Sequence, residues 1–330
     1  MTKREVVDAI TGGKRDPVKE RVRAFAPANV ALCKYWGKRD EELNLPITSS
    51  ISVSLGPLGS RTELALSNDW DVVVLNGREL PADHPARVRV VKFLDLFRPS
   101  DDIGFQLVSR NTVPMGAGVA SSASGFASLV LALNGLFGWK LDGRQLSILA
   151  RLGSGSACRS VYDGFVYWHA GRSPDGLDSF AERIQLEWPG LRVGVLLISG
   201  EEKRVSSREA MRRTVESSPL YAAWPAKVER DLSDIRAAIE RRDLELLGRT
   251  AEGNALAMHA VTMAAWPPII FFRPETIAAM QAVWDLRASG VPVYFTADAG
   301  PNLKLLFLEE HEPAVREAFP DVEVVTPFGR

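Results

Sequence analysis

The protein has 330 residues, of which 46% are hydrophobic and 25% are charged, and its net charge at pH 7 is −1. This length permits two domains, and this composition is that of an ordinary globular protein with a full apolar core. A charge so close to zero excludes recruitment of nucleic acid or an anionic membrane by the overall field, so any anion site must be local.

The first half of the chain mixes predicted helices and strands. Residues 1–23 carry charges of both signs and predict a surface helix or a loosely held arm. A hairpin is predicted from strands 61–67 and 71–77 with its turn at Asn68-Asp69, and Asn76-Gly77 leads into a further strand. Further strands are predicted at 103–110 and 165–171, and helices at 84–98, 122–138 and 142–156. Helix 122–138 is apolar on nearly every face, which predicts burial.

The pattern restarts after Trp188-Pro189. A continuous apolar strand is predicted at 191–199, amphipathic helices at 206–217, 219–243 and 275–290, and a strand at 291–300 that runs into a glycine turn. Strands and helices do not alternate regularly, so the predicted class is α+β. The predicted domains are a charged extension over 1–20, an N-terminal domain over 21–188 and a C-terminal domain over 189–330.

Cysteine and histidine usage excludes two further classes of protein. The two cysteines, Cys33 and Cys158, do not make a disulfide scaffold, and the four histidines have no zinc-like spacing. No stretch approaches the ~20 apolar residues of a membrane span, and the start lacks the apolar centre of a secretory signal. The sequence therefore predicts a soluble, cytoplasmic protein with reduced thiols.

The strongest chemical signal is the stretch 111–133, where a strand leads through glycines into a serine-rich helix start. Unpaired N–H groups at a helix N-terminus make an anion site, although a structural turn with a serine cap fits the stretch equally well. The loop matches neither a Walker phosphate loop nor a dinucleotide fingerprint.

A second signal lies in residues 34–55, where Lys34, Lys38 and Arg39 flank the pair Tyr35-Trp36. In isolation such a basic run is more typical of a solvated face. The tail SSISVS alternates like a strand, which places Ser50, Ser52 and Ser54 on one face.

Three shorter stretches contribute hydrogen-bond donors and one carboxylate. Residues 151–160 read RLGSGSACRS, residues 201–209 read EEKRVSSRE, and Asp298 precedes a Gly-Pro turn. Considered separately, an aspartate in this position is more typical of a cap than of a catalytic residue. Cys158 is more typical of a small packing residue than of a nucleophile. Together the stretches indicate several anion sites and one fixed carboxylate, which is the pattern of phosphoryl transfer.

Five motifs follow one another along the chain: APANVALCKYWGKRDEELNLPITSSISVSL, PMGAGVASSASGFASL, ARLGSGSACRSVYDGF, VSSREAM and FTADAGPN. In this combination and order they resemble the mevalonate diphosphate decarboxylase family of the GHMP kinase superfamily. The resemblance implies two domains, one like the second domain of ribosomal protein S5 and one ferredoxin-like, with the site between them. It also implies ATP-dependent decarboxylation of (R)-5-diphosphomevalonate to isopentenyl diphosphate, CO2, ADP and phosphate, through phosphorylation of the substrate's 3-hydroxyl. A homodimer, a polyanionic small-molecule substrate and ATP with Mg²⁺, without a dedicated protein metal site, are implied as well.

The resemblance also implies roles for individual residues. Catalysis would rest on Asp298, Arg159, Asn29 and Ser122, with Arg159 and Asn29 holding the substrate carboxylate and Asp298 orienting or deprotonating the 3-hydroxyl. The substrate diphosphate would be bound by Tyr35, Lys38, Ser154, Gly155, Ser156, Ser207 and Arg208. The ATP phosphates would be bound by Pro114, Gly116, Ala117, Gly118, Ser121 and Ser122.

Three other functions remain open at this point. A relative could decarboxylate 5-phosphomevalonate, or phosphorylate the 3-hydroxyl without decarboxylation. A non-catalytic paralogue could sense nucleotides or isoprenoid precursors, although no expected acidic or phosphate-loop residue is missing. Nucleic-acid binding is disfavoured by the neutral charge and the lack of a continuous basic face.

Overall fold

The computed structural model of the protein describes residues 1–112, 121–201 and 203–328. Pro114, Gly116, Ala117 and Gly118 of the predicted phosphate loop lie outside these residues, and the side chain of Ser121 is not described. Within the described ranges, no helix is both long and apolar enough to cross a lipid bilayer.

The first half of the chain builds a seven-stranded sheet. Its elements, in chain order, are α1 (Lys3–Thr11), β1 (Arg21–Cys33), β2 (Lys38–Asp40), β3 (Leu45–Pro46), β4 (Ser50–Ser67), β5 (Val72–Leu75), β6 (Arg78–Glu79), α2 (Pro85–Leu94), β7 (Gly104–Asn111), α3 (Ser121–Phe137), α4 (Gly143–Gly153), a 3₁₀ helix (Gly155–Val161), β8 (Phe165–Trp168) and β9 (Ala181–Arg183). The strand order is β6-β5-β7-β4-β8-β9, with β1 also paired to β4, while β2 and β3 form a separate ribbon.

The second half builds a four-stranded sheet. Its elements are β10 (Leu191–Leu196), α5 (Ser207–Ser217), a 3₁₀ helix (Tyr221–Ala223), α6 (Trp224–Arg241), α7 (Leu244–Met263), α8 (Pro274–Ala288), β11 (Val293–Ala297), β12 (Leu303–Leu308), a 3₁₀ helix (Glu309–His311), α9 (Glu312–Ala318) and β13 (Glu323–Val325). The antiparallel order β11-β12-β10-β13 is that of a ferredoxin-like sheet. The predicted α+β class and the ferredoxin-like second half are confirmed.

The predicted hairpin of 61–67 and 71–77 is wrong. Strand β7 lies between the two: Leu107 pairs with Leu64 of β4 on one side and, in parallel, with Val73 of β5 on the other. Local alternation and an Asn-Asp turn cannot reveal that a later strand inserts between two neighbours in sequence, because register follows the burial of the whole sheet. The turn at Asn76-Gly77 is confirmed, and it joins β5 to β6 with positive φ angles of 52° and 81°.

Helix α3 is buried against the first sheet, as its composition predicts. Hydroxyl contacts join the two layers: Ser60 lies 2.8 Å from Ser124, and Thr62 lies 2.7 Å from Ser128, between side-chain oxygens. These pairs satisfy polar atoms in an otherwise apolar layer, which removes the cost of burying them unpaired. The helix start therefore has a defined position beside the sheet.

A continuous apolar core joins the two halves. Val30 and Ile51 of the first sheet share one buried cluster with Val193, Trp224 and Leu306 of the second half. Burial of apolar surface contributes roughly 25 cal/mol per Å², so a shared core opposes separation of the halves. This packing brings the ends of β1 and β11 together. The domain boundary near residue 188 stays a prediction.

Candidate active site

A cleft of about 350 Å³ opens where residues of both halves meet. Most of the lining residues have polar or charged side chains, among them three arginines and two lysines, and two are methionines. The residues are Asn29, Ala31, Lys34, Tyr35, Trp36, Lys38, Asn44, Arg89, Ser122, Ser154, Gly155, Ser156, Arg159, Ser206, Ser207, Arg208, Met211, Met258, Asp298 and Ala299. The fold thus gathers all described residues predicted to bind substrate or to act in catalysis.

Asp298 follows the last residue of β11 and faces two buried lysines. Its carboxylate lies 2.9 Å from the Lys34 ammonium and 3.5 Å from the Lys304 ammonium, and a quarter of its side chain is exposed to the cleft. Burial by itself would raise the pKa of Asp298, but the charges of Lys34 and Lys304, together with Lys203, outweigh it and hold the pKa well below the usual range. The carboxylate is therefore ionised at neutral pH.

Lys34 contradicts the interpretation of the basic run as a solvated face. It lies just beyond β1, its side chain is 2% exposed, and its ammonium donates to the Ala31 carbonyl at 2.8 Å as well as to Asp298. Asn254 of α7 accepts from its backbone N–H at 2.8 Å, which fixes the turn. Arg39, in contrast, is exposed as the basic pattern predicts.

Gly37 makes the turn of the KYWGKR stretch possible. Its φ is +113°, and a Cβ there would lie 1.8 Å from the Tyr221 hydroxyl, which donates to the Trp36 carbonyl at 2.8 Å. Only glycine fits this conformation and this contact. The turn holds Tyr35 and Lys38 on the cleft side.

Arg159 is held in a fixed orientation by its neighbours. Its guanidinium donates to Ser50 Oγ at 2.7 Å and to Asn29 Oδ1 at 3.3 Å, and the residue is only 3% exposed. Asn29 is fixed in turn by donating to Ser160 Oγ at 2.7 Å. Both side chains line the cleft, and their role in binding a substrate carboxylate stays a prediction. A buried, oriented guanidinium suits a planar carboxylate.

The GSGS stretch lies against Tyr35. A Cβ on Gly155 would lie 2.8 Å from the Tyr35 ring, so glycine permits the ring to pack on the backbone. The Tyr35 hydroxyl is buried and has no hydrogen-bond partner within the part of the chain that the structure describes. Ser154 Oγ lies 3.4 Å from Ser122 Oγ of α3. An unpaired buried hydroxyl in a cleft is suited to a polar ligand.

A group of cations forms one wall of the cleft. Lys38 pairs with Glu41 at 2.7 Å, and its side chain is 3% exposed. Burial lowers the pKa of Lys38, and the neighbouring Arg208 and Arg89 lower it further. Burial, followed by repulsion from Arg208, lowers the pKa of Arg89 to about 10. Mutually repelling cations are stabilised by a multiply charged anion placed among them.

A second cavity, of about 300 Å³, adjoins this cleft. It is more apolar and lies between α3, α2 and the strand pair β5 and β7. Ser122 and Arg89 line both cavities, so the two spaces meet at these residues. Together they offer a more apolar compartment and a cation-lined compartment, joined at the N-terminus of α3.

Sequence reasoning missed several residues of this site. Lys34, Trp36, Asn44, Arg89, Met211 and Met258 line the cleft without having been predicted there. Lys34 was visible only as part of a basic run, and Arg89 lies in an amphipathic helix with nothing to distinguish it. Cys158 is buried in an apolar cluster with Val166 and Trp168, as a packing residue should be, and this burial raises the pKa of its thiol to about 12.

Family models match both halves of the chain. The model of the diphosphomevalonate decarboxylase-like N-terminal domain matches residues 26–181, and that of the mevalonate 5-diphosphate decarboxylase C-terminal domain matches residues 193–325. The chain is 38% identical over 319 residues to diphosphomevalonate decarboxylase mvd1 of Aspergillus fumigatus, covering 89% of this chain and 78% of the relative.

Solved structures are similar over nearly the whole chain. One is MDDEF in complex with MVAPP, AMPPCP and magnesium, with a TM-score of 0.86 and 40% identity, covering 93% of this chain and 97% of that one. Another is the mevalonate diphosphate decarboxylase from Enterococcus faecalis, described for its mevalonate diphosphate mediated ATP binding. It has a TM-score of 0.85 and 39% identity, with coverages of 93% and 97%. The fold likeness therefore includes both sheets and the cleft between them.

Proposed function

Because the chain belongs to the diphosphomevalonate decarboxylase family, we propose that it converts (R)-5-diphosphomevalonate and ATP to isopentenyl diphosphate, ADP, phosphate and CO2. The observation that carries this proposal is the ionised Asp298 in a cleft lined by oriented cations from both halves. Such a site positions and neutralises a small polyanion, and it has one carboxylate at the place of reaction.

The two anionic ends of the substrate have separate partners. Arg159, oriented by Asn29, would hold the carboxylate. The diphosphate would lie among the hydroxyls, backbone donors and cations of the opposite wall, namely Tyr35, Lys38, Ser154, Gly155, Ser156, Ser207 and Arg208. With both ends held, the 3-hydroxyl would lie between them, next to Asp298.

ATP would place its base in the second cavity and its phosphates at the N-terminus of α3. Ser122 lies where the two cavities meet, and Pro114, Gly116, Ala117, Gly118 and Ser121 precede it in the chain. Mg²⁺ would neutralise the transferred phosphoryl group and be held largely by phosphate oxygens. Within the described residues no group of three or more His, Cys, Asp or Glu is placed to hold a metal ion.

Asp298 would act mainly by orientation and charge. A carboxylate with a strongly lowered pKa is a weak base, so it would accept a hydrogen bond from the 3-hydroxyl and orient the hydroxyl oxygen toward the γ-phosphorus of ATP. As the bond from this oxygen to phosphorus forms, the bond from phosphorus to the β-phosphate oxygen would break and ADP would leave, while the hydroxyl proton would pass to an oxygen of the transferred phosphoryl group. After transfer, the bond between C3 and the phosphorylated oxygen breaks and its electron pair leaves with phosphate. The electrons of the carboxyl-carbon bond then form the new double bond as CO2 departs. Asp298 would stabilise the positive charge developing at C3.

A panel of three substrates tests this function. Purified protein with Mg-ATP should release ADP and CO2 in equal amounts from 5-diphosphomevalonate, and neither at a comparable rate from mevalonate or 5-phosphomevalonate. Release of ADP and CO2 from 5-phosphomevalonate alone would show that this monophosphate is the substrate. Release of ADP without CO2 would show that the enzyme is a 3-kinase. Absence of both products from all three compounds would favour a sensor.

The lysine beside Asp298 leads to a prediction about pH. Lys34→Met removes the nearest cation, so the pKa of Asp298 should rise and the acid limb of kcat/KM should move to higher pH than in the wild type. We expect about a tenfold loss of kcat at pH 7, because the carboxylate also loses its closest positioning contact. The measurement is kcat at pH 7 together with kcat/KM from about pH 3 to 8, which covers the ordinary aspartate range. Lys19→Met, at an exposed lysine, is the control.

The free energy of unfolding should depend on the ionisation of the same carboxylate, that of Asp298. In the folded wild type the pKa of Asp298 lies below its unfolded value of about 3.9. Its contribution to the free energy of unfolding is therefore present above about pH 4 and is lost as the pH falls further. If the acid limb of the kcat/KM profile were the same in Lys34→Met as in the wild type, Lys34 would not be the charge that lowers the pKa of Asp298.

The cytoplasmic location and the homodimer stay predictions. The family resemblance supports both, and the two buried free cysteines suit a reducing compartment. Light scattering of the purified chain measures the oligomeric state, and a mass of one chain across the assayed concentrations would contradict the dimer.

A further inference from the structure

The segment that precedes β1 is a fixed part of the fold. Val6 and Val7 of α1 are fully buried and pack in the same cluster as Leu43 and Phe93. Arg4 donates to the Asp95 carbonyl beyond α2 at 2.8 Å. Further along, the Trp139 indole donates to the Lys14 carbonyl at 2.8 Å. Of the two sequence predictions, a surface helix is therefore correct and a loosely held arm is wrong.

Helical spacing places Lys3 on the buried face of this helix. Lys3, Val7 and Ile10 recur at intervals of four and three residues, and Val6 completes the same face. Val6 and Val7 of this face share a buried cluster with Leu43, whose neighbour Asn44 lines the substrate cleft. Lys3 itself is half-buried, so its side chain lies partly within the packing of α1 against the rest of the fold and not wholly in bulk solvent.

The charges around Lys3 are those of the cationic wall. Burial lowers the pKa of Lys3, the charge of Arg208 lowers it further, and Lys38 and Arg89 act in the same direction, while Glu42 opposes them. Arg208, Lys38 and Arg89 all line the cleft. Lys3 forms no ion pair with a carboxylate in the described part of the chain. Four cations therefore act on one another here, and the acids that oppose them are Glu41, paired with Lys38, and Glu42.

We propose that Lys3 is an additional ligand of the substrate's diphosphate, delivered to the site by α1. The proposal rests on the function proposed above, since it assumes that the anion among these cations is a diphosphate. Lys3 belongs to the outer rim, so its partner would be the terminal phosphate, which a monophosphate lacks. The segment before β1 would then contribute to selection of the diphosphate over the monophosphate.

The test compares Lys3→Gln with Lys14→Gln, which removes an exposed lysine from the loop just after the same helix. Lys3→Gln should raise the KM and the calorimetric Kd for 5-diphosphomevalonate about fivefold, the scale of one charge-assisted contact at a partly exposed site. We expect kcat, the KM for ATP and the melting temperature to stay close to the wild-type values. Lys3→Arg, which keeps the charge, should retain most of the affinity, and competition by inorganic diphosphate should weaken in parallel with substrate binding.

Two outcomes would overturn the proposal. Lys3→Gln could bind 5-diphosphomevalonate as tightly as Lys14→Gln, or it could lose substrate affinity, ATP affinity and melting temperature together, which would indicate a structural role. Wild-type protein that turned over none of the three substrates would reject the proposed function itself. Wild-type turnover of the diphosphate with no specific effect of Lys3 would reject only the role of Lys3.

Discussion

Asp298→Asn should lower kcat by about 10³-fold while leaving substrate and ATP binding largely intact. The change removes the charge that orients the hydroxyl and stabilises the developing positive centre, and loss of one such group costs 10²- to 10³-fold or more. Asn has nearly the same shape, so the contacts of Arg159 and of the diphosphate wall should remain. Single-turnover release of ADP and CO2, together with calorimetric binding of the substrate, measures both effects.

The same substitution leaves two buried lysines without their counter-charge. Lys34 is 2% exposed and Lys304 is 1% exposed, and breaking such a pair by removing one partner destabilises a protein by about 3 kcal/mol. The double variant Asp298→Asn/Lys34→Met removes one charge of each sign, so it should recover part of the melting temperature but no activity. Recovery of activity in the double variant, or near-wild-type kcat in Asp298→Asn, would refute the catalytic assignment.

Arg159→Gln should lower kcat/KM for the diphosphate substrate by about 10³-fold. The guanidinium is buried, is oriented by Ser50 and Asn29, and is the cation that we assign to the substrate carboxylate. Arg159→Lys keeps the charge but loses the planar fork, so we expect a loss of about 10²-fold. Steady-state kinetics of both variants measures these effects, and binding of ATP should change little.

A matched control separates this role from the cost of disturbing a buried arginine. Arg151 of α4 is also fully buried, and its guanidinium donates to the carbonyls of Gly176 and Ser179 outside the cleft. Arg151→Lys should lower the melting temperature without a comparable loss of kcat/KM. Equal kinetic losses at Arg151 and Arg159 would contradict the assignment of the substrate carboxylate to Arg159.

Local sequence determined much of the architecture. The Asp142 side chain caps α4 by accepting a hydrogen bond from the Gln145 N–H at 2.8 Å. Helix α3 is buried because most of its residues are apolar. Both features depend only on residues that are close together in sequence. The motifs that resemble the family also include most residues of the cleft wall. Their order along the chain was enough to predict the reaction class before any contact was known.

Tertiary structure alone decided which residues of these motifs meet. The insertion of β7 between β4 and β5 depends on pairing across the whole sheet, which no local pattern encodes. Lys34 reads as one charge in a basic run, yet the shared core brings it 2.9 Å from Asp298, which is 264 residues away in sequence. Arg89 lies on an ordinary amphipathic helix and joins the cleft only through packing. Sequence determined the chemistry available, whereas charge pairing and access to the cleft depend on distances between segments far apart in the chain.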